Sequence, residues 1–317
     1  MSEEEIIDLS QLELTTDGKV IAKQITDDQV DVANQQEKKN IRYSVSLIKD
    51  YQACPAKAYA RITKQKSKKS YALINGIAIH ESIEMFIKER ADMKETYAKS
   101  FIREGLRNEV ATDSIDAVKI NKEAQPILVA THEILQADNF VDKIDPLLCE
   151  VGFKFERNGR LFVGKIDLMF YNPDGDYSII DAKSSKNVPN QLSLNKDLQF
   201  TTYHAGALLD PTLPTYGKWA KQAVWWHLRG KNIAKDANGN AVRKNKTSDN
   251  RKFQYFFPTS RTQAEVEEHF DYTIEPIARQ MEKGQWYRNE GEACGWCSYF
   301  DASKQRCSAE IPKPKND

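Results

Sequence analysis

Polar and apolar residues change their spacing along this chain, and the changes divide it into regions. Residues 1–40 are mostly Asp, Glu, Gln and Lys with few aromatics, which reads as a flexible polar arm holding a short strand near Val20-Ile21. Helical spacing starts behind Ser44, a good capping residue, and is expected to run through Tyr59. A basic loop spans Lys64 to Lys69. Beyond it the stripe Ile79, Ile83, Phe86 and Ile87 predicts a helix over 75–89. Residues 92–143 carry further helical periodicity.

From Leu148 the period falls to two. Cys149, Val151, Phe153 and Phe155 alternate with Glu150, Gly152, Lys154 and Glu156, the pattern of a half-buried strand. On that strand Glu150 is expected to face away from the core, as a solvent carboxylate does. Asn158-Gly159 is a strong hairpin turn, leading into a second strand over 161–171. Asn172-Pro173-Asp174-Gly175 turns the chain again before a third strand over 177–183. A helix is expected over 197–209, strands over 224–228 and 253–257, and an amphipathic helix over 262–283. Between those last strands lies a polar insertion with seven basic residues from Lys231 to Lys252. This order predicts one α/β domain with a mixed central sheet flanked by helices. The expected division is an arm (1–40) and a single domain (41–317). The domain comprises a helical part (41–145), a sheet core (146–260) and a tail of helix and clustered cysteines (261–317).

Charge narrows the reading. Lys+Arg and Asp+Glu both number 46, so any attraction to polyanions must be local rather than global. No apolar run approaches the ~18 residues of a membrane span. The acidic start Met-Ser-Glu-Glu-Glu lacks the apolar stretch of a secretory signal, so the expected location is the cytoplasm. Five cysteines, three of them near the C-terminus, point to metal ligation rather than a disulfide framework.

The chemistry concentrates at Asp181-Ala182-Lys183, which ends the third strand, and at Asp167, which lies one hairpin earlier in Gly164-Lys165-Ile166-Asp167. Residues two apart on a strand share a face, roughly 6–7 Å apart. Two acids and an ammonium on one face suit metal-assisted phosphodiester hydrolysis: the acids grip a hard cation and the lysine steers a water. A surface salt bridge is the plainer reading of D-x-K alone. Taken singly, His80 reads as a packed or solvated histidine on its helix. Gln199 and Tyr203 read as a polar helix surface at i and i+4.

The ordered series is more specific than its members. His80 on a helix, Glu150 on a strand, G-x-x-D, I-I-D-A-K and Q-x-x-x-Y together resemble the PD-(D/E)XK nuclease superfamily. Within it they are similar to the RecB-like branch, with the AddB nuclease domain and CRISPR-associated exonucleases. The resemblance covers residues 44–310 and implies a restriction-endonuclease-like core. It implies that His80, Asp167, Asp181 and the Ala182 carbonyl bind Mg²⁺ or Mn²⁺. Lys183 would orient the attacking water, and Gln199 and Tyr203 would support the site and touch nucleic acid. Glu150 would reach the metal through water. The implied activity is a DNA exonuclease acting on single strands or ends, alone, as an oligomer, or with a single-strand annealing protein or helicase.

Cys294-Gly295-Trp296-Cys297 and Cys307 make three ligands of a metal site, and Cys54, followed by Pro55, is the best candidate for the fourth. Four thiolates satisfy zinc or a [4Fe–4S] cluster equally, and spacing does not separate them. The resemblance implies the cluster, because that branch pairs one remote Cys-Pro cysteine with three near the C-terminus. Cys149 reads as a small core hydrophobe. The basic runs at 64–69 and 243–252 are candidate phosphate contacts, and Trp225, Trp226 and Tyr255 candidate stacking faces.

Overall fold

The computed structural model describes residues 12–14, 20–22, 41–67, 69–137, 141–142, 144–172, 174–184, 189–228, 255–291, 294, 297–301 and 306–312. The flexible character expected of 1–40 and the basic insertion lie outside them. Backbone contacts separate a unit Met1–Ile41 from a unit Arg42–Asp317. In the first, β1 (Leu12–Leu14) and β2 (Val20–Ala22) pair antiparallel.

The second unit opens with β3 (Arg42–Tyr43) and α1 (Val45–Ala53), whose first turn is capped by the Ser44 hydroxyl accepting from the Leu47 amide at 3.2 Å. The helix stops at Ala53 instead of running through Tyr59. Pro55 disfavours helical backbone at Cys54, which is extended at φ −164°, and a new helix, α2 (Pro55–Ile62), starts on the proline. Then follow α3 (Tyr71–Glu89), α4 (Met93–Arg107) and α5 (Ile115–Gln136).

The strands β4 (Cys149–Arg157), β5 (Arg160–Tyr171) and β6 (Tyr177–Lys183) form an antiparallel meander. Its first turn has positive φ at both Asn158 and Gly159, the geometry that two-residue hairpins need. Two helices follow, α6 (Gln191–Asn195), which the sequence did not announce, and α7 (Leu198–Leu209). Next, β7 (Gln222–His227) runs parallel to β6, and β8 (Tyr255–Thr259) returns antiparallel to it. The sheet order is β3-β5-β6-β7-β8, with β4 on β5 and β3 parallel to β5. It is a mixed sheet flanked by helices, as expected.

The residues expected to form one C-terminal helix instead give α8 (Gln263–His269), a π-helical turn over Phe270–Ile274, and α9 (Glu275–Glu282). Pro276 lacks an amide to close the α-helical ladder there. Two short strands, β9 (Phe300–Asp301) and β10 (Arg306–Cys307), close the chain.

The main core joins α3, α4 and α5 to the sheet through Ile79, Phe86, Tyr97, Leu128, Leu168, Ile180 and Trp226. On another part of the sheet the Phe153 ring lies against the backbone of Gly164 and of Gly206 in α7. An ideal Cβ at either glycine would fall 2.3 Å from a ring carbon. The two glycines thus let α7 settle directly on the hairpin.

Candidate active site

The β5–β6 ladder runs from Tyr171↔Tyr177 to Leu168↔Ile180 and then opens. At the opening Asp167 Oδ2 accepts from the Ala182 amide at 2.8 Å, so a side chain takes the place of the missing ladder partner. The carboxylate is thereby fixed between the diverging strands. Asp181 is buried beside it at 1% exposure. Its Oδ1 accepts from Lys183 Nζ at 2.6 Å and from Gln199 Nε2 at 2.7 Å. The other Gln199 Nε2 hydrogen goes to the Tyr203 hydroxyl at 2.6 Å. One turn of α7, capped by Asp197, therefore delivers Gln199 to Asp181 with Tyr203 bonded behind it.

From α3, His80 turns Nδ1 toward two carboxylates, 3.5 Å from Asp167 Oδ2 and 3.7 Å from Glu150 Oε1. Ligand atoms of His80, Glu150 and Asp167 all lie within 4.8 Å of one another. Glu150 is not the solvent carboxylate that strand alternation suggests; its side chain is only 9% exposed. It does lie on the face opposite the buried Cys149 and Val151, as alternation predicts, and its cover comes from His80 of α3 and from Lys165; its own backbone is left-handed, with φ 56°. Lys165, which the sequence reading passed over, forms an ion pair with Glu150. Its signal was a charged residue two positions before Asp167, on the same strand.

The electrostatics follow from this crowding. Burial pushes the Asp181 carboxyl up, Lys183 opposes it and Asp167 adds to it, with the result near 6. Burial alone would lower the His80 imidazole, but Asp167 and Glu150 outweigh it and raise the pKa. The same contest runs the other way at Glu150. Burial would raise it, yet His80 and Lys165 bring it below the usual carboxylate range. Burial and then the Asp181 charge hold the Tyr203 phenol well above its ordinary value. Two carboxylates and an imidazole with ligand atoms this close are a donor set for a hard divalent cation, with the histidine tolerating Mn²⁺; Asp181 stands outside that group, bonded to Lys183 and Gln199.

A second constellation stands elsewhere. Cys54, Cys294, Cys297 and Cys307 line one cavity of about 140 Å³, with Lys57 and Arg288 at its wall. The Cys54 sulfur accepts from the Asn289 amide at 3.4 Å. Cys149 is remote in role: it is a buried core residue, and burial followed by Glu150 pushes its thiol up to about 12.

The remaining candidates are scattered. Lys66 pairs with Glu109 and Lys69 with Glu104, which neutralises much of that loop; Lys68 and residues 243–252 lie outside the described residues. Trp226 is core at 1% exposure, whereas Trp225 is partly exposed, in register with Asp181 on the next strand. The Tyr255 side chain lies outside the described residues.

No curated protein matches the sequence. Among solved structures, a protein from Eubacterium rectale, named as a candidate exonuclease, superposes with a TM-score of 0.48 at 15% identity. The match covers 92% of this chain and 96% of that one. A protein designated SSO0001 superposes with a TM-score of 0.29 at 10% identity, over 77% of this chain and 91% of the other. The decisive match is in sequence, where a family profile spans residues 42–302, from the first strand of the sheet to the cysteine-bearing tail. The chain belongs to the PD-(D/E)XK nuclease superfamily.

Proposed function

We propose that this hydrolase is a metal-dependent DNA exonuclease of the RecB-like kind, working in the cytoplasm on single strands or DNA ends during recombination or repair. The observation that carries the reading is the grouping of His80, Glu150 and Asp167, with Asp167 bonded to the Ala182 amide between the paired Asp181 and Lys183. His80, Asp167, Asp181 and the Ala182 carbonyl would hold Mg²⁺ or Mn²⁺, with Glu150 close enough to join them. Such an ion supplies a nucleophilic water near neutral pH and neutralises charge on the phosphate.

The chain's own groups do the rest. Lys183 steers the water and answers the negative charge that grows on the phosphoryl oxygens. Gln199 holds Asp181 in one rotamer, and Tyr203 holds Gln199, so the acid meets its ligand without reorganising. Burial takes Asp181 itself out of water, which strengthens its bonds to Lys183 and Gln199.

Release of nucleotides from linear DNA with Mg²⁺ or Mn²⁺, compared between wild type and Asp181→Ala, tests the reading. Equal rates from the two proteins would remove it. Covalently closed circular DNA separates an exonuclease, which leaves it intact, from a structure-selective endonuclease on the same scaffold. DNA binding without any hydrolysis would favour an inactive binding module.

We also propose that the four-cysteine cavity holds a [4Fe–4S] cluster that ties α2 to the C-terminal tail. Four thiolates around one cavity satisfy either zinc or the cluster, and the RecB-like resemblance favours the cluster. Brown colour and broad visible absorption, lost in Cys54→Ser, are expected of protein purified without oxygen. Colourless protein with stoichiometric zinc would overturn the assignment. A single-strand annealing protein or helicase is the partner class this activity would serve.

A further inference from the structure

Lys165 touches the metal group through Glu150 yet faces solvent. Its ammonium pairs with Glu150, and its side chain is 58% exposed, against 27% for Lys183 and 26% for His80. Lys183 is committed to Asp181. Lys165 is therefore the cation of this group with the widest reach into solvent. Across the β4–β5 ladder it stands opposite Gly152, an exposed residue where a side chain would meet nothing within 4 Å. Asp167 lies two residues farther along the same face of the strand, roughly 6–7 Å away.

We propose that Lys165 is a phosphate-positioning residue, held by Glu150 while the pocket lacks a cation and released to grip a DNA backbone phosphate when one arrives. The argument rests on the nuclease reading and on charge competition. Glu150 has one negative charge to share. A divalent ion at His80, Glu150 and Asp167 carries twice the charge of the ammonium and engages Glu150 more strongly than Lys165, which is half exposed, does. The freed ammonium, already half in solvent and two residues along the strand from Asp167, then has a backbone phosphate of the substrate as its partner. A merely structural Lys165–Glu150 bridge would not alter DNA binding in a salt-dependent way, and that difference is measurable.

The test is fluorescence anisotropy of a labelled single-stranded oligonucleotide, titrated across a range of KCl in Ca²⁺ and again in EDTA. In Ca²⁺, Lys165→Met is expected to bind several-fold more weakly than wild type. Its plot of log Kd against log salt should be shallower by about one phosphate contact's worth. Lys165→Arg should keep most of the affinity. In EDTA the Lys165→Met defect should shrink, and Glu150→Gln should tighten binding only where Lys165 is present. Unchanged Kd and slope for Lys165→Met in Ca²⁺ would overturn the proposal, as would a wild type that binds no DNA. Hydrolysis in Mg²⁺ is scored separately. A wild type that binds DNA with this lysine dependence but never cleaves it defeats the nuclease reading alone.

Discussion

The contact between Gly206 and Phe153 controls the geometry of Asp181 from a distance. In Gly206→Ala the new methyl would stand 2.3, 2.5 and 2.7 Å from three carbons of the Phe153 ring, where ordinary contact begins at 3.4 Å. The ring has nowhere to retreat, because its far edge already lies against the Gly164 backbone. Helix α7 must therefore back away by about 1 Å, the shortfall between 3.4 and 2.3 Å. Gln199 sits two turns earlier on the same face. Its 2.7 Å bond to Asp181 would stretch to about 3.7 Å, outside hydrogen-bond range.

The energies partly cancel. Overpacking costs about 1–3 kcal/mol, while replacing a helical glycine by alanine returns about 1 kcal/mol. The urea midpoint should drop only slightly. Activity should fall far more, about 100-fold, because an ångström of misplacement is enough at a reacting centre. Single-turnover release of nucleotides from linear DNA, measured beside urea unfolding, separates the two effects. Adding Phe153→Leu should restore part of the activity by making room for the methyl. Gly206→Ala with full activity would refute the reasoning, as would a loss of activity matched by wholesale unfolding.

Arg160→Met should destabilise the fold by about 3 kcal/mol, since Arg160 pairs with the buried Glu275 and with Glu282, and removing it leaves Glu275 to Arg157 and Asn158; a urea midpoint unchanged from wild type would contradict this. In metal-free protein, folded Asp181 keeps its proton between the ordinary 3.8 and about 6, a range where the unfolded chain has lost it. Its contribution to stability therefore falls as pH rises through that window and is level above it. Asp181→Asn should flatten that part of the urea-stability curve, and equal slopes in the two proteins would count against the assignment. Cys149, buried with its thiol pushed up to about 12, should escape iodoacetamide in native protein and react once urea unfolds it. Mass spectrometry showing native labelling at Cys149 would sink that expectation.

Much of the sheet was legible because its signals are local. Asn158-Gly159 fixes the β4–β5 hairpin by backbone sterics, and the alternation from Cys149 to Phe155 fixes which strand side chains are buried. Glu150 does face away from Cys149 and Val151, as the alternation implies; what the alternation does not show is that His80 of α3 and Lys165 cover it there. Similarly, the π turn at Phe270–Ile274 interrupts a stripe whose polarity is helical throughout. For the candidate site the residue types and their order were readable. The facing of His80 toward Glu150 and Asp167 joins segments about seventy to ninety residues apart, and only the packing of α3 on the sheet creates it. Lys165 was overlooked because its importance depends on the ion pair it makes with Glu150 across the hairpin.

The bond from Asp167 to the Ala182 amide gives that acid two separable duties. As an anion it can attract a cation; as an acceptor it staples two strands whose own ladder has ended. Asparagine at 167 would keep an oxygen for the amide while discarding the charge, whereas alanine would forfeit both and orphan a buried N–H. Comparing the pair tells apart a defect in anchoring from a defect in ion capture.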